Sequence, residues 1–380
     1  MTAAEEQLNR LLVLVADRID LDHSTRVEKR YRAALAWQPV DRTPLVVQAP
    51  FPKTMALPEP WCDFRRYPYR DAFEDPVAML QNVILSNVVP GLLLRDDNPL
   101  AIRNDHGTIQ IAAVLGGHWR LYRDDYPWVT RFDSIESIRR IAESDEPVDL
   151  SAGVLPRSFQ TLAYYREKLD QHQPCPDAIQ ISMPDLQGSI DTAEQLWGGD
   201  IFLACCEEPD LVTRLMRKIV KVMLAVEARY RDLVRDRFDP EASTQHGYVI
   251  PGRLLIRADT GIMLSPQMYA DLVCPHDSEV LHQVGGGSIH FCGDGHHLVP
   301  RLLDIPRLRG LDFGNPEKMD MAAIYRACEM RKVALTGLLP SREELVIGKA
   351  RRDFPTGCVF VYNTESFDDA QQLVQSYCSA

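Results

Sequence analysis

His290 and Cys292 are where a chemical reading of this sequence starts. They sit in GSIHFCG (287–293), a short apolar stretch bounded by glycines that predicts a β-strand. Residues two apart on a strand share a face, so imidazole and thiol project together while Phe291 points away. Imidazole plus thiolate is a good zinc pair, and a catalytic zinc keeps three protein ligands and one open position. Any His-x-Cys in a strand has this geometry, so the alternative is a buried thiol beside a hydrogen-bonded histidine. Asp312 closes the next strand-like stretch, LRGLDFG (308–314), and offers a carboxylate to the same centre. Its alternative is a turn aspartate before Gly314.

Further polar residues stand at the ends of other expected strands. Asp185 and Asp259 are candidate acid–base groups, and Gln48 and Asn363 are candidates for substrate binding. Turn chemistry also accounts for the two aspartates, beside Pro184 and before Thr260–Gly261. Glu365 follows the last strand, where a helix's first turn also favours a carboxylate. His296 and His297 fall in a first helical turn, one toward the site and one toward solvent. Cys358 begins CVFVYN (358–363), five residues and roughly 16 Å from that strand's far end, too far to join His290 and Cys292.

The elements that must position these groups alternate. Residues 1–20 and 24–37 predict helices, TPLVVQA (43–49) a buried strand, 71–89 a helix and GLLL (91–94) a second strand. Residues 99–130, with a turn at Asp105–Gly107, predict a hairpin standing beside the main sheet. Further strands are expected at 177–182, 253–259, 287–293, 308–314, 332–337 and 358–363, with helices between them. Short apolar strands alternating with helices make parallel β-α-β units. About eight of them indicate an α/β protein of the (β/α)8 TIM-barrel class, with an open doubly wound sheet as the second choice. No linker or repeat divides residues 1–380, so one domain is expected, with an N-terminal helical lead (1–40) and the insertion at 99–130.

Lys and Arg total 42 against 54 Asp and Glu, a net charge of −12, which argues against nucleic acid and anionic membranes as partners. Nine scattered cysteines do not make a disulfide framework and favour a reducing compartment. The LLVLVA run near the N-terminus is too short for a signal peptide, and no stretch reaches the roughly 20 apolar residues of a membrane span. A cytoplasmic location is expected.

Four segments carry a resemblance: RYRAALAWQPVDRTPLVV (30–47), MPDLQGSIDTAEQLWGGD (183–200), ADTGIMLSPQMYADLVCP (258–275) and IHFCGDG (289–295). Together they resemble the uroporphyrinogen decarboxylase superfamily, which includes corrinoid-dependent methyltransferases. The resemblance implies a (β/α)8 barrel. It lacks the decarboxylases' paired arginines after the first strand, where this chain reads VVQAPFPKTMALPEPW (46–61), and their late histidine, where it reads VFVYNTESF (359–367). The methyltransferase branch binds zinc through His-x-Cys, a later acidic residue and a cysteine after the last strand. His290, Cys292 and Asp312 match in type and order, while the last position falls on Glu365. The resemblance thus implies an enzyme moving a methyl group between a corrinoid, carried by a partner protein, and a small acceptor activated by zinc. Two other functions stand beside it. One is a metal-independent lyase using Asp185 and Asp259 on a substrate other than a porphyrinogen. The other is a barrel that binds a tetrapyrrole or partner without turnover.

Overall fold

The computed structural model describes residues 2–48, 57–235, 238, 241–364 and 366–379. The chain is mixed α/β, built around parallel strands flanked by helices. Twelve strands are described. They are β1 (Leu45–Gln48), β2 (Ala101–Ile102), β3 (His118–Leu121), β4 (Pro127–Thr130), β5 (Gln180–Ile181) and β6 (Ala242–Gln245). The others are β7 (Tyr248–Pro251), β8 (Leu255–Arg257), β9 (Gly287–Phe291), β10 (Leu308–Phe313), β11 (Ala334–Leu338) and β12 (Cys358–Asn363). A six-stranded parallel sheet runs β1-β12-β11-β10-β9-β8, and β2 pairs in parallel with β5. A parallel bridge between Gln187, just beyond β5, and Arg257 of β8 links the two groups. On the opposite side, Leu45 and Val47 of β1 donate backbone N–H groups to the carboxylates of Asp97 and Asp96, at 2.9 and 2.6 Å.

The buried in-register row Ile256, Ile289, Leu311 and Leu335 shows why β8–β11 hold together. It belongs to the main apolar cluster, which reaches from Leu8 near the N-terminus to Tyr377 near the C-terminus. Removing such side chains from water is the dominant favourable term in folding. The N-terminal helices Ala3–Ala16 and Leu21–Leu35 form as the sequence suggests. Thr2 and Glu5 close a reciprocal capping box on the first, and Asp20 caps the second.

Three expectations are corrected. Gly91–Leu94 is the last turn of a helix, not a strand; the helical stretch Pro76–Leu94 begins at the Asp75 cap and ends at left-handed Arg95. Pro90 cannot donate the N–H of a regular turn, and the wide turn Ile84–Val88 absorbs that missing bond so the helix continues. The second parallel strand is instead Ala101–Ile102, inside the stretch expected to stand apart. The hairpin there is β3–β4, with its turn at 122–126 rather than at Asp105–Gly107. Pro76–Leu94, 19 residues with mean hydropathy 1.7, also meets the length and apolarity of a membrane span, contrary to the sequence reading. With 61% of its most apolar 18 residues buried against the rest of the fold, the core accounts for that apolarity.

Candidate functional site

Four neighbouring strands each contribute one side chain to a single level. Arg257 of β8 is in register with His290 of β9, His290 with Asp312 of β10, and Asp312 with Thr336 of β11. In-register residues of a parallel sheet face the same side, so a polar row lies opposite the apolar one. All four are buried. Buried polar groups need partners: His290 and Thr336 find theirs within the row at Asp312, while Arg257 pairs with Asp185 and His246 beside it.

Asp312 is the hub. Its Oδ2 accepts from His290 Nδ1 at 2.6 Å and lies 3.2 Å from His246 Nδ1; its Oδ1 accepts from Tyr248 Oη at 2.8 Å and Thr336 Oγ1 at 2.5 Å. A carboxylate has about four lone-pair sites, so Asp312 is saturated. Burial pushes its carboxyl up, but the hydrogen bonds from His246 and His290 outweigh that and hold it well below the usual range. Burial likewise opposes charge on His290, yet its bonds to Asp312 and Cys292 lift it to about 9.

The other imidazole edge faces the exposed side of the site. His290 Nε2 lies 3.3 Å from Cys292 Sγ and 3.6 Å from Asp259 Oδ1. Asp259 Oδ1 also accepts the Cys292 backbone N–H at 2.6 Å. One ligand atom from each of Asp259, His290 and Cys292 lies within 4.8 Å of the others. The same holds of His246, His290 and Asp312, on the buried edge. Gly314 leaves the thiol its space, since a Cβ there would sit 2.4 Å from Cys292 Sγ.

His246 and Tyr248 belong to the hairpin β6–β7, which sequence reasoning missed. His246 and Gly247 form its two-residue turn with φ of 53° and 84°, the left-handed pair that suits a tight hairpin. The signal was present: QHGY places a His-Gly pair between two short β-prone runs. His246 also contacts an Arg257 guanidinium nitrogen through Nε2, and burial followed by Arg257 pushes its own basicity down.

Asp185 is drawn into a separate arrangement. Arg257 grips both its oxygens, at 2.7 and 2.8 Å, and Arg103 approaches to 3.4 Å. Burial would raise its carboxyl, but Arg257 and then Arg103 hold it down to about 2. Gln48 and Asn363 are in-register partners on β1 and β12, and both line a cavity of about 320 Å³ with Asn87, Arg103, Gln245 and His246. Gln48 Nε2 donates to the His246 carbonyl, tying the hairpin tip to β1. Glu365 lies outside the described residues. His296 pairs with Asp294 at 2.6 Å on the surface, and His297 Nε2 lies 3.1 Å from the Leu264 carbonyl. Cys358 is buried at the start of β12, opposite Leu335, and Asp312 lies beyond Leu335's level on β10. All nine cysteines are unpaired.

No protein-family model matches the chain, and no curated protein matches it. Among solved structures, a methyltransferase from Methanosarcina mazei is similar, with a TM-score of 0.64 over 93% of this chain and 98% of that one. The two share 15% identity, so what the likeness shows is a common fold.

Proposed function

We propose that this chain is a methyltransferase whose site holds zinc through His290, Cys292 and Asp259. The observation that carries the reading is the convergence of Asp259 Oδ1, His290 Nε2 and Cys292 Sγ within 4.8 Å. The donor set of nitrogen, sulfur and oxygen fits zinc, and a three-ligand set leaves room for a substrate. The second imidazole nitrogen is bound to a carboxylate, the arrangement that fixes ring orientation in zinc sites. Asp312 therefore fits as the group that orients His290 rather than as a ligand. When bound, zinc supplies a Lewis acid that lowers the pKa of the acceptor group and favours its attack on a methyl carbon. The chain's own residues set the rest: Asp312 keeps the Nε2 edge of His290 aimed outward, and Arg257 fixes Asp185 beside the cavity. Gln48 and Asn363 offer amides to a small acceptor in that cavity.

The eight parallel strands are best read as one closed (β/α)8 barrel of the uroporphyrinogen decarboxylase type. The Gln187–Arg257 bridge on one side and the Asp96 and Asp97 contacts to β1 on the other support this reading, as does the fold likeness to the Methanosarcina mazei methyltransferase. On it, the methyl donor is a corrinoid held by a separate protein. The lyase alternative is weaker, because an Asp185 paired with two guanidiniums is poorly suited to moving a proton. The test is metal content of the purified protein and of two variants. Stoichiometric zinc lost in Cys292→Ser and kept in Cys358→Ser is expected; no metal in the parent protein, or equal retention in both variants, refutes the site.

A further inference from the structure

We propose that Asp191 is a positioning residue that holds the Asp259 carboxylate at the site by anchoring, from another helix, the backbone of the turn that Asp259 begins. This rests on the reading of Asp259 as a metal ligand. Beyond β8 the chain enters a single tight turn, Thr260–Met263, with Asp259 at its N-cap. An aspartate there ordinarily accepts the N–H of the second or third residue of its own turn. Asp259 makes no such bond; its Oδ1 instead accepts from the Cys292 N–H and lies beside His290 Nε2. The N–H groups at the start of the turn are taken by Asp191. Its Oδ2 accepts from Asp259 N at 3.0 Å and its Oδ1 from Thr260 N at 2.8 Å.

Asp191 is itself well anchored. It lies buried in the first turn of the nine-residue helix Ser189–Trp197, where a carboxylate is favoured by the helix dipole. Gly188, just before that helix, donates its N–H to the Arg257 carbonyl at 3.0 Å, so the helix start and the end of β8 are joined. A buried carboxylate costs more to desolvate than a serine or asparagine cap. What it supplies is a fork of two acceptors, matched to the two adjacent N–H groups. Without Asp191, those donors would be unpaired, and the start of the turn would lose both bonds that fix it to the helix Ser189–Trp197. Asp259 would then leave Cys292 and His290.

Three variants test this: Asp191→Ala, Asp191→Asn and Asp259→Ala, alone and with Asp191→Ala and Asp259→Ala combined. The first readout needs no metal: amide hydrogen exchange at Cys292 in chelator-treated protein, with thermal unfolding to establish that each variant is folded. Exchange at Cys292 is expected to speed at least tenfold in Asp191→Ala, as in Asp259→Ala, with little further change in the double variant. Asp191→Asn, which keeps one acceptor, should fall between, and it decides the matter if the alanine variant does not fold. The second readout is Co2+ titration followed by its visible absorption. Affinity should drop about 10–100-fold in Asp191→Ala, with the same spectral change as Asp259→Ala. Wild-type protection at Cys292 in folded Asp191 variants, or additive Co2+ losses in the double variant, overturns the proposal. If the parent protein binds no Co2+ while Cys292 exchange responds, the positioning role stands and the metal reading falls.

Discussion

Replacing Asp312 tests the logic of the site most directly, because four donors converge on one buried carboxylate. Asp312→Ala leaves His290 Nδ1, His246 Nδ1, Tyr248 Oη and Thr336 Oγ1 without their shared acceptor. Each buried unsatisfied donor costs about 1–3 kcal/mol, and breaking a buried ion pair costs about 3–5 kcal/mol. Against a typical stability of about 5–15 kcal/mol, the alanine variant should be close to unfolding. Asp312→Asn is the sharper instrument. Its amide oxygen can still face the two imidazoles, and its NH2 can face two hydroxyls able to rotate and accept. What it removes is charge, so each charge-assisted bond weakens toward a neutral one, with a total loss of about 1–3 kcal/mol. Urea unfolding with an unchanged m-value would read this loss directly. The same variant should weaken zinc binding about 10–100-fold in a competitive chelator titration, because His290 loses the partner that sets its orientation. Stability within about 0.5 kcal/mol of the parent together with unaltered zinc affinity would refute the reasoning.

Other perturbations reach the same framework from different sides. Arg257→Met, at a side chain only 7% exposed, strands Asp185 and should cost about 3–5 kcal/mol in a denaturant melt. Adding Asp185→Asn should recover part of that loss, and no recovery would mean that Arg257 acts elsewhere. Gly188→Ala places a Cβ 2.1 Å from the Arg257 carbonyl oxygen, so strand and helix must part. The expected cost is about 1–3 kcal/mol with faster exchange at the Gly188 amide; wild-type stability would contradict it. Burial, followed by the opposing bond from Tyr269 Oη, leaves the Asp277 carboxyl raised to about 7, against about 4 in an unfolded chain. Near pH 3 both states are protonated. Between about pH 4 and 7 only the unfolded chain ionises, so this residue's contribution to stability falls as pH rises and is lost above 7. Asp277→Asn should therefore raise Tm at pH 8 relative to the parent and change it little at pH 4. Parallel pH profiles for the two proteins would exclude this account.

How much of this was legible in the sequence depends on how local each signal is. The His290/Cys292 juxtaposition follows from the two-residue period of a strand, and β9 forms where its apolar run lies, so the pair could be read directly. The same local logic placed β8, β10, β11 and β12 to within a few residues. Cys358 does begin its strand, but the register sets it level with Leu335, Leu311 and Ile289, one residue before the polar row, so distance along the strand is not what separates it from His290. GLLL misled because an apolar tetrad fits a buried strand and a buried helix alike. What decided it was the wide turn Ile84–Val88, which carries the helix through Pro90, a residue that in a sequence reads as a break. Ala101–Ile102, only two residues long, is a strand because Gln180–Ile181 lies beside it, which no window on the sequence contains. The roles at the site divide in the same way. Asp312 and Asp259 were visible as strand-end carboxylates, but a strand end does not say which lone pairs remain free. Four partners, from two strands and the β6–β7 hairpin, saturate Asp312 and fit it as an orienting group. A carboxylate 68 residues earlier takes the first two N–H groups of the turn that Asp259 begins, while the Asp259 side chain meets Cys292 and His290. The chemistry therefore turns on which acceptor each donor finds, and those pairings are set by the assembled strands rather than by the spacing of residues along the chain.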